Sequence, residues 1–450
     1  MKLTYHNSAA VLIQDVNTKV LIDPWFLNGE YFGSWGIYPP YDFEPKEFDD
    51  VDYIYISHIH PDHFSSKTLS KLNKKIPVLI HNFQEKFLKN NIENLGFKVI
   101  ELQNNNKMEL KNGLFVNIIA ADNCNPEICG KAFGCGYLES EYGSTQIDTM
   151  AVFNNSKHVI VNTNDCPFEI AESTGKQIKK QYNSVDLLLV GYAGASSYPQ
   201  CWNFTEEETK IEAQMKTKKR LENALSYIDI FNPRYYMPFA GMYTLAGKNY
   251  ILNKKRGEPD LDYAINYLSK NTDQLKNKCI AVNSKQSFDL NTGETSKRYE
   301  KIDQDQKEEY VNHVLSKIKY DYEYMEEVKL DLLENLLSES YLRFNNIREK
   351  IGYSTKTKVL LKFTDEKFVV ISCNGDGYEL VSTEKMKKID KYLSVEVDTR
   401  LLYWLLQGPK KAHWNNAEIG SHIQFKRIPN IYERGLMYCM NFFYSGKYID

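Results

Sequence analysis

No stretch of this 450-residue chain reaches the run of about eighteen apolar residues that a membrane-crossing helix needs. The opening Met1 to His6 also lacks the apolar core of a secretory leader. Cysteine is scarce, eight in the whole chain, which is too sparse for a disulfide framework and fits reduced thiols. Charge of one sign is missing as well. A formal net charge of −3, with no basic block, gives no footprint for a nucleic acid or another polyanion. Together these absences predict a cytoplasmic protein with a small-molecule substrate and no nucleic-acid or membrane partner. The length predicts two domains and not one core.

Histidine is also sparse, nine residues in all, yet three of them fall between His58 and His63. There the β-rich run Tyr53-Ile-Tyr-Ile-Ser57 ends in His58-Ile-His60-Pro-Asp62-His63. Imidazole nitrogens and a carboxylate at this density supply a mixed N/O donor set suited to Zn, Fe or Mn. Alternation along extended chain points His58 and His60 the same way, and the turn at Pro61 folds Asp62 and His63 back toward a neighbouring position. One or two divalent ions are therefore expected.

Along the chain, residues 2–23 read as strands and 27–50 as a Gly-, Pro- and aromatic-rich loop over the site. Strands and helices then alternate through residue 102, an α/β pattern. Residues 110–121 read as a hairpin ending at Asp122. Cys124, Cys129 and Cys135 lack a paired Cys-x-x-Cys knuckle; they read as small apolar residues or, less readily, as a structural metal site. Strands at 149–153 and 158–162 lead to Asp165, at a strand end where such sheets present ligands. The apolar run 185–190 ends in a Gly/Ser loop whose Ser196, Ser197 and Tyr198 are candidate substrate contacts. Thr205 with Glu208 forms a capping box that opens a long helix. Beyond about residue 296 the chain is charged and helical over 301–352, then forms a hairpin at 358–373, with further helices expected at 399–406 and 417–425.

His-x-His-x-Asp-His resembles the first metal motif of the metallo-β-lactamase fold. Ile22-Asp-Pro-Trp25, Asn162-Thr-x-Asp-Cys166, Ala193-Gly-Ala-Ser-x-Tyr-Pro199, Phe204-Thr-Glu-Glu207 and Pro238-Phe-Ala-Gly241, in that order, resemble one branch of it, the CMP-N-acetylneuraminate hydroxylase family, over about residues 1–290. The resemblance implies an αββα sandwich in residues 1–295, followed by an α+β domain in 296–450 that resembles a sterol-carrier-like appendage. It implies His58, His60, Asp62, His63 and Asp165 as metal ligands, with Asp165 between two ions. It also places Asp23 and His6 behind them, with Asp23 accepting a hydrogen bond from a ligand histidine.

The departures are as informative. No cysteine is followed by histidine at the Cys-x-His or Cys-x-x-His spacing of a Rieske centre. Asp122 stands where the third motif's histidine is expected and is a candidate substitute ligand, giving His58, His60 and carboxylates close to a two-His-one-carboxylate set; Ala240 stands where the last histidine is expected. A centre so poor in imidazole suits iron or manganese as well as zinc, with the His58/His60 position filling first. Three functions remain open at this point. One is a metal-dependent hydrolase of a sugar nucleotide or acylated amino sugar, with Asp62 orienting water. Another is a non-haem iron oxygenase acting on a CMP-sialic-acid-type sugar, with a separate Rieske or ferredoxin electron-transfer partner. The third is a non-catalytic scaffold.

Overall fold

The computed structural model describes residues 1–121, 148–272 and 278–448. Two sheets lie face to face. The first has eight strands in the order Glu294–Thr295, Ser287–Asp289, Lys2–Asn7, Ala10–Asp15, Thr18–Ile22, Tyr53–Tyr55, Val78–His81 and Val99–Leu102. It is antiparallel at the start and parallel from Thr18–Ile22 onward. The second has six, in the order Tyr235–Phe239, Leu187–Gly191, Val159–Asn162, Thr149–Asn154, Phe115–Ala120 and Met108–Glu109.

Side-chain alternation sorts the layers. Leu187 and Leu189 point inward with Val116, Phe153 and Met237 against Leu3, Val11, Val20 and Leu79 of the first sheet. Leu188 and Val190 point outward, onto Ile170 and Ile178 of the helix Phe168–Gln181 and Ile228 and Phe231 of the helix Glu206–Phe231. A strand covered on both faces must be apolar throughout, which is why this run shows no polar alternation. Leu21, Ile54, Val78 and Ile80 do the same on the far side, beneath Leu69, Leu88 and Ile92. The expected αββα sandwich is present, and the Thr205–Glu208 capping box forms.

A five-stranded sheet follows, ordered Tyr378–Ser382, Lys367–Ser372, Lys358–Lys362, Tyr392–Glu396 and Gln424–Ile428. The helices Leu330–Lys350, Thr399–Gln407 and Arg434–Met440 pack on it. Two sequence expectations are corrected here. The charged stretch 301–352 is not continuous helix: it leaves the α conformation after His313, passes through 3₁₀ turns at Leu315–Lys317 and Asp321–Tyr324, and resumes at Leu330. Tyr320 and Tyr322 are both buried, and residues two apart cannot share a helix face. Residues 417–425 are likewise not one helix. The helix Trp414–Ile419 stops at Gly420, and Gln424–Ile428 pairs antiparallel with Tyr392–Glu396.

This second unit is keyed into the sandwich. Asn203 N–H donates to Phe425 O at 2.9 Å and Phe425 N–H to Cys201 O at 2.8 Å, while Trp202 stacks on Phe425 at 4.9 Å. The loop after Leu187–Gly191 thus extends the edge of the five-stranded sheet.

Glu433 ties the last helix to that sheet, accepting hydrogen bonds from Tyr353 (2.7 Å) and Thr357 and pairing with Lys391 at 3.2 Å. Burial raises its carboxyl, but these donors outweigh burial and hold it down to about 2. A folded-state pKa below the unfolded one stabilises above the unfolded value and ceases to do so as pH falls through the folded one. Glu433→Gln should therefore melt a few degrees below wild type at neutral pH, with the gap closing between about pH 4.5 and about pH 2. Thermal melts across that range check this, and a gap independent of pH would assign the loss to packing.

Candidate metal centre

The candidate ligands come from strand ends along one edge of the sandwich. Thr18–Ile22 and Tyr53–Tyr55 run parallel with Ile22 opposite Tyr55, so Asp23 and Ser57 emerge side by side. Outlets at the carboxyl ends of parallel strands are where α/β sheets place ligands. Asp23 is fully buried and its backbone is left-handed, φ +42°, a conformation that aspartate tolerates better than most residues. Its carboxylate accepts Ser57 N–H (2.8 Å), Ser57 Oγ–H (2.6 Å) and His63 Nδ1–H (2.8 Å). Across the sandwich, Tyr55 donates to Thr149 Oγ1 and Thr149 Oγ1 donates to Ser57 O, each at 2.8 Å. That pair fixes Asp148, just before Thr149, next to the histidines.

The tautomers follow from this network. Ser57 spends its one hydroxyl proton on Asp23, so its 2.9 Å contact with His58 Nδ1 has the histidine as donor. His58 Nε2 is then a bare lone pair. His60 Nε2–H donates to Asn415 Oδ1 at 3.2 Å, which leaves Nδ1 bare. The two lone pairs face each other at 2.9 Å. Burial, with the like charges of neighbouring imidazoles, holds His58 well below its ordinary pKa, and burial also lowers His60, so neither supplies a proton to the gap. Two acceptors at that distance repel unless a cation lies between them, and neutral imidazoles are what a metal requires.

Carboxylates complete two positions. Asp148 Oδ1 is 3.7 Å from His58 Nε2, and donor atoms of His58, His60 and Asp148 lie within 4.8 Å of one another. His58, His63 and Asp165 form a second such group. His63 Nε2 stands 3.3 Å from Asp165 Oδ2 and 3.5 Å from Asp62 Oδ2. Burial opposes charge on His63, but Asp165, Asp62 and Asp23 outweigh it and raise its pKa well above normal. The imidazolium compensates the acids without an ion; a metal takes over that role as the Nε2 proton leaves. Burial raises Asp165 too, but the charge and hydrogen bond of His63 hold it below the usual carboxylate range. Burial, with Asp165, keeps Asp62 above it. The residues fit a divalent ion at the first position and a second beside it.

The C-terminal unit reaches into this centre. Besides Asn415, His422 Nε2–H donates to Tyr31 O at 2.7 Å, and Tyr31 OH donates to Asp62 Oδ1 at 2.6 Å. His413 is held down to about 4 by burial and by His60. Glu418, pushed up to about 7 by burial, accepts from Ser197 Oγ at 3.4 Å.

The structure thus brings His58, His60, Asp62, His63, Asp165 and Asp23 together. His6 it does not: that ring bonds Tyr41 OH at 2.7 Å and packs among Phe26 and Phe48, with no hydrogen bond to the centre among the described residues. Ser197 is buried against Glu418, the Ser196 hydroxyl accepts Tyr198 N–H, and Tyr198 packs on Trp202 and Phe204. Ser197 bonds the C-terminal unit and Tyr198 packs against its core, while Ser196 and Tyr198 keep part of their surface exposed. Asp122, Cys124, Cys129 and Cys135 lie outside the described residues. Asp148 was missed, although it occupies the mouth of a buried strand just as Asp165 does. Asn415, 355 residues from His60, carried no signal.

Because Asn415 fixes which nitrogen of His60 faces the ion, Asn415→Leu should weaken metal at the first position about 10–100-fold without unfolding the chain. Chelator competition reads this, and unchanged affinity would show that His60 is oriented without it.

A family model described as "Beta-lactamase superfamily domain" matches residues 2–130. A Mycobacterium tuberculosis protein bearing a Rieske 2Fe-2S iron–sulfur name is 27% identical over 248 residues, 54% of this chain and 44% of that protein. The cytidine monophosphate-N-acetylneuraminic acid hydroxylase of Danio rerio is 28% identical over 294 residues, 60% and 44%. The match therefore spans less than half the length of these relatives. Among solved structures, an isothiocyanate hydrolase from Delia radicum gut bacteria overlays with TM-score 0.43 at 13% identity, covering 64% of this chain and 99% of that one. The diiron β-hydroxylase CmlA of Streptomyces venezuelae overlays with 0.40 at 14%, covering 63% and 53%. Residues 2–130 match the beta-lactamase superfamily model, the described residues form the αββα sandwich of the metallo-β-lactamase fold with an added C-terminal unit, and the chain is similar to the CMP-N-acetylneuraminate hydroxylases.

Proposed function

We propose that this chain is a metal-dependent oxygenase that hydroxylates an N-acylated, CMP-sialic-acid-type sugar. The observation that carries the reading is the donor set His58, His60 and Asp148 at the first position. Two imidazoles and one carboxylate form the arrangement favoured by non-haem iron. The hydroxylase relatives support the same direction. When bound, such an ion polarises substrate and water oxygens and, as iron, activates dioxygen. Inserting one oxygen atom into a C–H bond and releasing the other as water consumes two electrons and two protons. Those electrons come, in this reading, from an iron–sulfur donor, the class that the Rieske-named relatives represent. Asp62, whose Oδ1 accepts from Tyr31 at 2.6 Å and whose Oδ2 lies 3.5 Å from His63 Nε2, is the carboxyl group placed to pass a proton to the reacting oxygen.

Hydrolysis at the same centre is the second reading, favoured by the placement of Asp62. Ionised, this buried carboxylate is positioned to orient a water and take its proton, as the sequence alone suggested.

Metal content and oxygen dependence separate the two. Protein reconstituted anaerobically should retain iron and consume dioxygen with an added reductant. Asp148→Ala should lose the first ion, and Asp165→Ala should reduce turnover at least tenfold with the fold intact, about 1.4 kcal/mol of barrier or more. Asp148→His, with a third imidazole, should shift retention from iron toward zinc. Two tightly held zinc ions and oxygen-independent turnover would establish hydrolysis instead.

A further inference from the structure

Away from the metal ligands, a cleft of about 380 Å³ opens between the sandwich and the helix Gln304–His313, lined in part by Tyr38, Tyr192, Tyr243, Arg256, Gln304 and Lys307. Two of its cations form no ion pair among the described residues. Arg256 donates Nη2–H to Tyr243 O at 3.1 Å and lies 4.4 Å over the Tyr243 ring. Its Nε and Nη1 are buried with no hydrogen-bond partner among the described residues. Lys307 forms no ion pair among them, and burial and the like charge of Arg256 push its ammonium below the usual range. Tyr192 is 1% exposed, and its hydroxyl is a third buried group there without a partner among the described residues.

The carboxylates that line the cleft are committed elsewhere. Glu258 pairs with Lys216 at 2.6 Å and accepts Gly194 N–H at 2.9 Å. Asp260 caps the helix Leu261–Asn271 through Tyr263 N–H at 2.8 Å, and Glu308 pairs with Lys254 at 2.6 Å. Two like charges in a partly shielded cleft, with guanidinium N–H groups and a hydroxyl left unbonded, are costly unless an anion supplies the acceptors. The planar fork of an arginine matches the oxygens of a phosphate or carboxylate.

We propose that this cleft is a binding site for the phosphate or carboxylate group of a small molecule, held by Arg256 and Lys307 with the Tyr192 hydroxyl donating to the same group. The cleft exceeds a bare anion and falls in the size range of small-molecule sites. The tyrosines at its wall offer flat apolar faces for the rest of the ligand. The site stands on residues outside the metal centre and does not depend on the activity proposed above.

The test is titration of the full chain, metal-loaded and metal-stripped, with inorganic phosphate and separately with acetate, read by calorimetry. Both forms should bind, and whichever anion binds more tightly identifies the group. Lys307→Met, on a surface helix that tolerates the change, and Arg256→Met should each weaken binding about tenfold or more, and Tyr192→Phe by a smaller factor, with circular dichroism unchanged. Should Arg256→Met misfold, Lys307→Met alone decides. Absence of binding by either anion, equal affinity in wild type and Lys307→Met, or binding lost on stripping the metal would each overturn the proposal.

Discussion

One buried carboxylate organises the centre. Asp23 takes three hydrogen bonds, two from Ser57 and one from His63, and in doing so decides where the protons of two imidazoles sit. Because Ser57 gives its hydroxyl proton to Asp23, it can only accept from His58, and because Asp23 takes the Nδ1 proton of His63, the other nitrogen of each ring is turned toward the metal positions. The left-handed backbone at Asp23 is the local cost of placing that carboxylate under both rings. Replacing it by any group that donates would reverse the tautomers and with them the donor set.

The second constraint is charge. Asp62, Asp148 and Asp165 converge on one largely buried edge where water screens them poorly. His63 as an imidazolium is the compensation available without an ion. Such a cluster is worth its desolvation only where a cation balances it, which is why the arrangement reads as a metal centre and not as a structural network. Its ratio of carboxylate to imidazole separates it from a centre built chiefly of histidine.

The C-terminal unit belongs to the site's chemistry and not only to its periphery. Asn415 sets the free nitrogen of His60, and His422 holds the backbone of Tyr31, whose hydroxyl holds Asp62. Both positions are thus steadied from a segment more than 350 residues away in the chain, and the loop from Ser197 to Phe204 that anchors this unit leaves the same sheet edge that presents Asp165.

Much was legible in the sequence because it is local. The hexapeptide His58–His63 carries its ligands on adjacent residues, the run at 185–190 is apolar because both its faces are covered, and Thr205 with Glu208 announces a helix start through its own backbone bonds. These followed from periodicity, capping and donor chemistry, whereas the αββα sandwich was legible only through the resemblance of the motifs to the metallo-β-lactamase fold. What the sequence could not decide were pairings between distant segments: Asp148 as a first-position donor, Asn415 behind His60, His6 among aromatic rings away from the centre, and the burial of Ser197 against Glu418. Each depends on which strand ends and loops meet in space. A single aspartate or asparagine carries no periodicity to mark it, so only the tertiary structure, through sheet register and the docking of the C-terminal unit, assigned these roles.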